Sequence, residues 1–347
     1  MQKVTEASAT IRAPRGEKIS KKLGTFYNPV MQSNRDLSVI AIIALGKKNL
    51  RIADPLAGSG IRSLRFLKEI PEDVLEHVAV NDLKQGFPKT FKKNAALSGV
   101  SLEKTSIHNE EANQFLLAQP SFDYVDIDPY GSPNPFMDAA IKKTKRNGIL
   151  AVTATDTAPL CGTYPKACKR KYWATPRRDH VMHEYGLRIL IRKCQLVAAQ
   201  YDKALTPLIS YSRHHYFRVF FGVRTGKQKV DATLAQHDTI DGYGPLWTGP
   251  LWDDAFLESM LTTASKRCQR QALFLSLLQR EARIPSVGFY DLHDIARELK
   301  KSPVRLATAL DALEQQNIPA AKTHFDPKSI RTTADENAMR QLIKRLS

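Results

Sequence analysis

The chain has 347 residues, of which 42% are hydrophobic, so it is long enough for about two globular domains. It has no long uncharged apolar run and no apolar core near its N-terminus, so we expect neither a membrane span nor a secretory signal. Four dispersed cysteines without Cys-x-x-Cys spacing exclude a disulfide scaffold and argue against a zinc thiolate site. We therefore expect a reduced, cytoplasmic protein without a bound metal.

The charge balance is the most informative part of the composition. Lys and Arg number 52 against 35 Asp and Glu, which gives a formal net charge of +17. Such an excess is typical of proteins that bind a polyanion, although a basic surface can also serve solubility alone. We favour a nucleic acid as the partner.

The first 25 residues are polar and basic and predict an irregular arm. From about residue 39 to 223, short apolar runs alternate with segments of helical spacing. The predicted strands are Leu50–Ala53, His77–Val80, Thr105–His108, Tyr124–Ile127, Gly148–Thr153, Leu205–Tyr211 and Tyr216–Val223. The predicted helices between them include Arg62–Ile70, Phe91–Leu97, Pro135–Lys145 and Asp179–Ala199. This alternation predicts an α/β fold with a parallel sheet, closed by an antiparallel pair because only Ser212–His214 separate the last two strands. It is the pattern of the class I, Rossmann-like methyltransferase fold.

The composition changes after residue 224. Residues 224–252 are rich in Gly, Pro and Trp and predict an ordered connector. Three helical segments and two short strands follow: Phe256–Arg283, Asp291–Lys300, Pro303–Gln316, Pro319–His324 and Ser329–Thr333. We predict a catalytic domain over residues 1–224 and a smaller, winged-helix-like α+β domain over 225–347.

A glycine turn follows the first strand of the alternating region. Asp54 ends the strand, and Gly58 and Gly60 lie in the turn before the helix. The glycines let the backbone approach a ligand closely. The third glycine of a dinucleotide fingerprint is replaced by Ser63, and a carboxylate here would repel a pyrophosphate. Asp54 instead suits the ammonium group of S-adenosylmethionine (SAM), unless the turn is only structural.

Two further acidic positions follow the next strands. Asp82 lies 22 residues after Gly60, where Rossmann folds hold ribose hydroxyls, but a single Asp can equally cap a helix. Glu111, or the backbone N–H of Ala112, follows the third strand, where an adenine ring would lie; a charged helix start is the alternative.

The sequence Asp128-Pro129-Tyr130 follows the fourth strand. The lone pair of a base's exocyclic amine is conjugated into the ring, so this nitrogen is a poor nucleophile. The Asp128 carboxylate and the Pro129 carbonyl can accept its N–H bonds and direct the lone pair toward a methyl donor. Tyr130 offers a face on which a flipped base can stack. The alternative is a turn at the end of a strand.

A basic stretch over residues 164–178 combines six cationic and three aromatic side chains. We predict an exposed loop that contacts RNA phosphates and bases. Its candidate contact residues are Lys169, Arg170, Lys171, Tyr172 and Trp173. For Arg213–Arg218, core packing and RNA contact are equally compatible with the sequence.

Several of these elements together resemble one enzyme family, the tRNA (guanine-26) N2-dimethyltransferases of archaea and eukaryotes. The matching elements occur in family order at residues 26–36, 54–62, 81–82, 111–113, 126–133, 155–156 and 244–251. The resemblance implies that Asp128 is the catalytic carboxylate. It implies that Arg35, Arg62, Asp82, Glu111 and Ala112 touch the cofactor SAM.

Two departures from the family pattern are visible. Family members commonly carry two cysteine pairs near the domain junction that bind zinc, whereas residues 224–252 contain no cysteine, so we predict no zinc. Glu111 replaces the usual Asp. The short C-terminal region lacks the basic extensions of eukaryotic members, which favours an archaeal-type enzyme.

The sequence thus predicts a SAM-dependent enzyme that transfers two methyl groups to N2 of guanine 26 in tRNA. The C-terminal domain, residues 225–347, is then expected to bind the tRNA. A base-amine methyltransferase acting on another RNA or on DNA remains an alternative, as does an inactive tRNA-binding protein. Asp54 and the missing third glycine disfavour a dinucleotide-dependent oxidoreductase. The sequence shows no feature that indicates a protein partner.

Overall fold

The structure, a computed structural model, describes residues 1–13 and 27–347. It begins with an antiparallel hairpin of β1 (Gln2–Glu6) and β2 (Ala9–Ala13). The predicted irregular arm is therefore wrong over this segment, and residues 14–25 of that prediction lie outside the described residues. Ala9, Ile11 and Ala13 bury alternate side chains, while the backbone N–H of Thr10 donates to Ser98 Oγ at 2.9 Å. Two of the three buried side chains are only methyl groups, which explains why the strand pattern is weak in the sequence.

A seven-stranded sheet forms the centre of the molecule. Its order is β5-β4-β3-β6-β7-β9-β8, with β3 to β7 parallel and the last pair antiparallel, as predicted. Its strands are β3 (Leu50–Asp54), β4 (Leu75–Asn81), β5 (Thr105–His108), β6 (Phe122–Ile127), β7 (Thr144–Ala154), β8 (Lys203–Arg213) and β9 (Tyr216–Thr225). This arrangement confirms the predicted Rossmann-like methyltransferase fold.

Helices connect the strands and cover the sheet. They are α1 (Gln32–Ala44), α2 (Ile61–Glu69), α3 (Phe87–Ser98), α4 (Ala112–Ala118), α5 (Met137–Lys143), α6 (Thr157–Leu160), α7 (Pro165–Tyr172) and α8 (Met182–Ala199). The predicted basic loop contains α7, so the loop prediction is wrong for that part. Pro165 at the first turn suits a helix start, since a proline lacks only an N–H that would be unpaired there.

The connector is folded against the first domain. It contains α9 (Lys227–Leu234) and a hairpin of β10 (His237–Ile240) and β11 (Tyr243–Trp247). Buried Arg188 of α8 donates to the carbonyls of Trp247 and Gly249 at 3.0 and 2.8 Å. The connector is therefore part of the main core.

The predicted long helix 256–283 is two helices that meet at Cys268, α10 (Asp254–Arg267) and α11 (Gln269–Ala282). Both belong to the main hydrophobic cluster, and a second cluster begins at Leu292. The predicted boundary at residues 224 and 225 therefore does not coincide with the division between the two cores.

The second core is that of a small α+β domain. It contains β12 (Tyr290–Asp291), α12 (Leu292–Glu298), α13 (Leu306–Glu314), β13 (Ala320–Lys322), β14 (Ser329–Thr332) and α14 (Glu336–Leu346). Its sheet order is β12-β14-β13. Two helices followed by a β-hairpin agree with the predicted winged-helix-like layout, and α14 is an additional helix. Within the described ranges, no helix is long and apolar enough to span a membrane.

Candidate active site

A cavity of about 470 Å³ opens at the carboxyl ends of β3, β6 and β7. Open α/β sheets bind ligands at this edge, and the volume lies within the usual range for ligand pockets. The predicted site residues that line it are Arg35, Asp54, Gly58, Arg62, Asp128, Pro129 and Tyr130. Those that do not line it are Gly60, Asp82, Glu111, Ala112, Lys169, Arg170, Lys171, Tyr172 and Trp173.

The two glycines of the turn after β3 have different tasks. Gly58 has φ +59° and lines the cavity with its backbone. Gly60 has φ +77°, and a Cβ there would lie 2.3 Å from the ring of Phe91. Gly60 is therefore required for close packing of the turn on α3, and its contact with a ligand remains a prediction.

Asp54 lies at the base of the cavity, 2% exposed. It accepts a hydrogen bond from Ser63 Oγ at 2.6 Å. Burial raises the pKa of this carboxyl to about 7, because desolvation outweighs the nearby Arg62. A positively charged ligand group beside Asp54 would favour its ionised form.

Asp82, the residue after β4, is hydrogen-bonded to the glycine turn. Its Oδ2 accepts from the backbone N–H of Gly58 at 2.7 Å, and its Oδ1 from that of Lys84 at 2.9 Å. Its neighbour Asn81, which the sequence did not single out, donates to the carbonyls of Pro55 and Glu110. Asp82 thus holds the turn that lines the cavity, and its contact with a ribose remains a prediction.

Glu111 caps α4. Its carboxylate accepts from the backbone N–H groups of Asn113 and Gln114 at 2.8 and 3.1 Å. This is the helix-start arrangement that the sequence left open for Glu111. Contacts of Glu111 and Ala112 with an adenine ring remain a prediction.

Arg35 reaches the cavity from α1. It is paired with Glu6 of β1, to which its Nε donates at 2.7 Å, and its Nη2 donates to the carbonyl of Asn28 at 3.0 Å. The N-terminal hairpin therefore helps to place Arg35 at the cavity wall.

Asp128 accepts a hydrogen bond from Arg62 Nη2 and is 18% exposed. Arg62 Nη1 donates to Ser38 Oγ at 2.8 Å and lies 3.2 Å from Asp126 Oδ2. Arg62 thus donates hydrogen bonds to protein side chains. If it also contacts the cofactor as predicted, its guanidinium does so while paired with Asp128.

Arg62 belongs to a buried ionic cluster around Asp126. Arg218 of β9 donates to Asp126 Oδ1 and Oδ2 at 3.0 and 2.7 Å, and Tyr124 Oη donates to Asp126 at 2.7 Å. Burial favours the neutral acid, but Arg218 and Arg62 outweigh it and lower the pKa of Asp126. The sequence left core packing and RNA contact open for Arg213–Arg218; Arg218 is fully buried, but its pairing with Asp126 was not predicted, because an arginine in an alternating strand normally points to solvent.

The loop after β6 is joined to the end of β7. The backbone N–H of Gly131 donates to Thr155 Oγ1 at 2.6 Å, and that of Thr155 donates to the Gly131 carbonyl at 3.0 Å. Pro129 and Tyr130 are thereby held at the cavity, with Tyr130 53% exposed. Other lining residues that the sequence did not assign are Asn28, Asp156, His215 and Tyr216.

In the basic stretch, which contains α7, one predicted contact residue is wrong. Tyr172 is fully buried and donates to Asp156 Oδ1 at 2.7 Å, so it has no face for a base to stack on. Lys169, Arg170 and Lys171 are exposed in the last turn of α7. Trp173 is 50% exposed, and Lys193 Nζ lies 2.8 Å from its ring centroid.

The residues at the cavity fit SAM. A carboxylate at Asp54 suits its ammonium group, the cationic Arg35 suits its carboxylate, and the turn through Gly58 brings backbone close to the ligand space. Among the residues that the structure describes, no group of three or more His, Cys, Asp or Glu side chains is placed to hold a metal ion. The absence of zinc remains a prediction.

Comparisons with known proteins agree over nearly the whole chain. The family described as N2,N2-dimethylguanosine tRNA methyltransferase matches residues 3–243 and 237–344. A tRNA (guanine(26)-N(2))-dimethyltransferase of Thermococcus kodakarensis is 38% identical, with 98% of each chain covered. A tRNA (guanine(26)-N(2)/guanine(27)-N(2))-dimethyltransferase of Aquifex aeolicus is 37% identical over 99% of this chain and 96% of its own.

A solved structure gives the same result. Trm1 from Pyrococcus horikoshii in complex with S-adenosyl-L-methionine superposes with a TM-score of 0.89 at 33% identity, covering 99% of both chains. With the family match and the full-length relatives, this similarity shows that the chain belongs to the N2,N2-dimethylguanosine tRNA methyltransferase family.

Proposed function

We propose that this protein is a SAM-dependent methyltransferase that adds two methyl groups to N2 of guanine 26 in tRNA. The observation that carries the proposal is the Asp128-Pro129-Tyr130 loop at the wall of the cavity that the turn through Gly58 also lines. The family match extends from residue 3 to residue 344. When bound, SAM supplies an electrophilic methyl group.

Asp128 and Pro129 act on the amine. The Asp128 carboxylate and the Pro129 carbonyl accept N–H bonds from N2, so that the lone pair is directed away from the ring. Arg62 holds the Asp128 carboxylate at the cavity by donating a hydrogen bond to it. Tyr130 stacks against the extruded guanine.

On the cofactor side, Asp54, Gly58 and Arg35 hold SAM directly, whereas Asp82 acts in part by fixing the Gly58 turn. Lys169, Arg170, Lys171 and Trp173 contact the tRNA outside the cavity. The working compartment is the cytoplasm, consistent with four free cysteines.

The proposal is tested with labelled SAM and unmodified tRNA, followed by nucleoside analysis and mapping of the methylated position. We expect N2-methyl and N2,N2-dimethyl guanosine at position 26, and loss of this product when adenosine replaces guanosine 26. A guanosine 27 substitution is included because the Aquifex relative is named for both positions. Product on another RNA or on DNA, and none on tRNA, would contradict the proposal.

A further inference from the structure

A third carboxylate, Asp156, lies at the same cavity as Asp54 and Asp128 and is not used by the mechanism above. It lies two residues after the end of β7 and lines the cavity with Asp128, Pro129 and Tyr130. Its side chain is 14% exposed. A largely buried carboxylate in a binding cavity is costly to keep unless a partner stabilises it.

The position of Asp156 is fixed relative to the Asp128-Pro129-Tyr130 loop. Thr155 exchanges hydrogen bonds with Gly131, so the end of β7 and this loop move as one unit. Tyr172 Oη donates to Asp156 Oδ1 at 2.7 Å and lies 2.9 Å from Ser132 Oγ. Asp156 is therefore oriented by a phenol that is itself anchored to the loop.

Asp156 retains hydrogen-bonding capacity. An ionised carboxylate can accept about four hydrogen bonds. Within the described part of the chain its Oδ2 is buried and accepts no hydrogen bond, and the Lys171 ammonium stands 3.6 Å from it. Its Oδ1 accepts one hydrogen bond, from Tyr172. Burial raises the pKa of this carboxyl, as expected for a group whose charge is incompletely compensated. The carboxylate thus has acceptor capacity beyond its hydrogen bond with Tyr172, on a side chain that lines the cavity.

Guanine presents a matching donor. Its N1–H lies next to the N2 amine on the Watson–Crick edge, whereas adenine has an unprotonated N1 at that place. Enzymes that act on an extruded base read this edge by hydrogen bonds. We propose that Asp156 accepts the N1–H of the extruded guanine while Asp128 and Pro129 engage N2, and thereby selects guanine. This inference rests on the proposed function.

The test compares two tRNAs that carry guanosine or 2-aminopurine at position 26. 2-Aminopurine keeps the exocyclic amine but has an unprotonated N1, which would face the Asp156 carboxylate. Wild-type enzyme should prefer guanine by roughly tenfold to a hundredfold in kcat/KM, since an unmatched buried polar group strongly disfavours an analogue. Equal kcat/KM for the two tRNAs, at equal tRNA affinity, would overturn the proposal without any variant.

The matched variants are Asp156→Asn and, as a control for charge, Asp231→Asn on the exposed face of α9. Asparagine keeps the acceptor for Tyr172 and can donate to N1 of 2-aminopurine. We expect Asp156→Asn to reduce the guanine preference about tenfold, while Asp231→Asn leaves it unchanged. Thermal unfolding and SAM affinity verify that both variants are folded.

The outcomes separate the two claims. If wild-type enzyme does not methylate guanosine 26, the proposed function fails. If it does, and Asp156→Asn lowers both substrates equally or neither, recognition of N1–H by Asp156 is wrong while the proposed function stands.

Discussion

At the scale of single residues, the chemistry depends on how buried charges are paired. Asp128 is held by Arg62, and Arg62 rests on Asp126, which Arg218 binds through both carboxylate oxygens. Breaking a buried pair by removing one partner leaves an uncompensated charge, so the members of this cluster depend on one another. Asp128 stands at its exposed end, where a change disturbs the fold least.

Asp128→Asn should abolish most methyl transfer while SAM binding stays largely intact. The variant keeps the shape of the side chain but loses the charge that accepts the N2 protons, and such a loss costs on the order of a hundredfold or more in kcat. Single-turnover rates and calorimetric SAM affinity measure the two effects. Near wild-type turnover would remove Asp128 from the catalytic role.

Asp82→Ala should raise the Kd for SAM by about one to two orders of magnitude, since hydrogen bonds to a charged group contribute roughly 1.5–3 kcal/mol each. The structure adds a second reason, because the same carboxylate accepts the N–H of Gly58. Asp82→Asn keeps an acceptor for Gly58 and serves as the matched control. An unchanged Kd in Asp82→Ala would show that Asp82 only caps the following chain.

At the scale of elements, α7 shows how a basic segment divides its side chains between core and solvent. Cys168 and Tyr172 are buried one turn apart, while Lys169, Arg170 and Lys171 face solvent. The interval of four residues places the two buried side chains on one face of the helix. The cations therefore form a compact group in the last turn, suited to phosphate contact.

Replacing Lys169, Arg170 and Lys171 together with glutamine should weaken tRNA binding and reduce its salt dependence by up to about three phosphate contacts. SAM affinity should not change, because the cavity is lined by other elements. The affinity for tRNA, measured at a series of salt concentrations in the triple variant and in wild type, tests this prediction.

The matched control neutralises Lys89, Lys92 and Lys93, which are exposed on α3. It removes the same charge from a different helix. An equal loss of slope in both triple variants would indicate a general charge effect rather than contact at α7.

At the scale of the whole molecule, a buried ionic network joins the small domain to the main core. Arg331 of β14 donates to Glu184 of α8 at 2.6 Å and to Glu281 of α11 at 3.0 Å. Glu281 also accepts from His324 Nδ1 at 2.6 Å and from Thr323 Oγ1 at 2.6 Å. The network fixes the two cores relative to each other.

Because of this network, we expect the folded protein to lose stability at acidic pH. Burial would raise the pKa of Glu281, but His324 and Arg331 lower it from 4.5 to about 2. A carboxyl with a lowered folded-state pKa contributes stability above its unfolded pKa, which is lost as the pH falls toward 2. The free energy of unfolding should thus decrease by on the order of 3 kcal/mol from this group across that window.

Unfolding followed from pH 7 to pH 2.5 in wild type and Glu281→Gln measures this contribution. The variant should be less stable at pH 7 and lose less stability on acidification. Parallel pH profiles would show that Glu281 does not contribute in this way.

The sequence by itself determined the alternating α/β order, the antiparallel closing pair and the chemistry at the strand ends. Asp54, Gly58, Asp128, Pro129 and Tyr130 meet at one cavity because the carboxyl ends of parallel strands share one edge of a sheet. These motifs can be found from local sequence. Each stands at the end of its own strand, and the spacing of apolar residues predicts where that strand ends.

Only the tertiary structure decided which polar groups meet across long sequence separations. Arg218 reaches Asp126 from a strand 92 residues later, and Tyr172 turns inward to Asp156 although the three residues before it are cationic. Burial of a charge depends on a partner that no periodicity reveals, because the desolvation cost is offset only where the folded chain supplies the counter-charge. The pairing of Asp128 with Arg62, and the place of Asp156 beside it, follow from that folded arrangement alone.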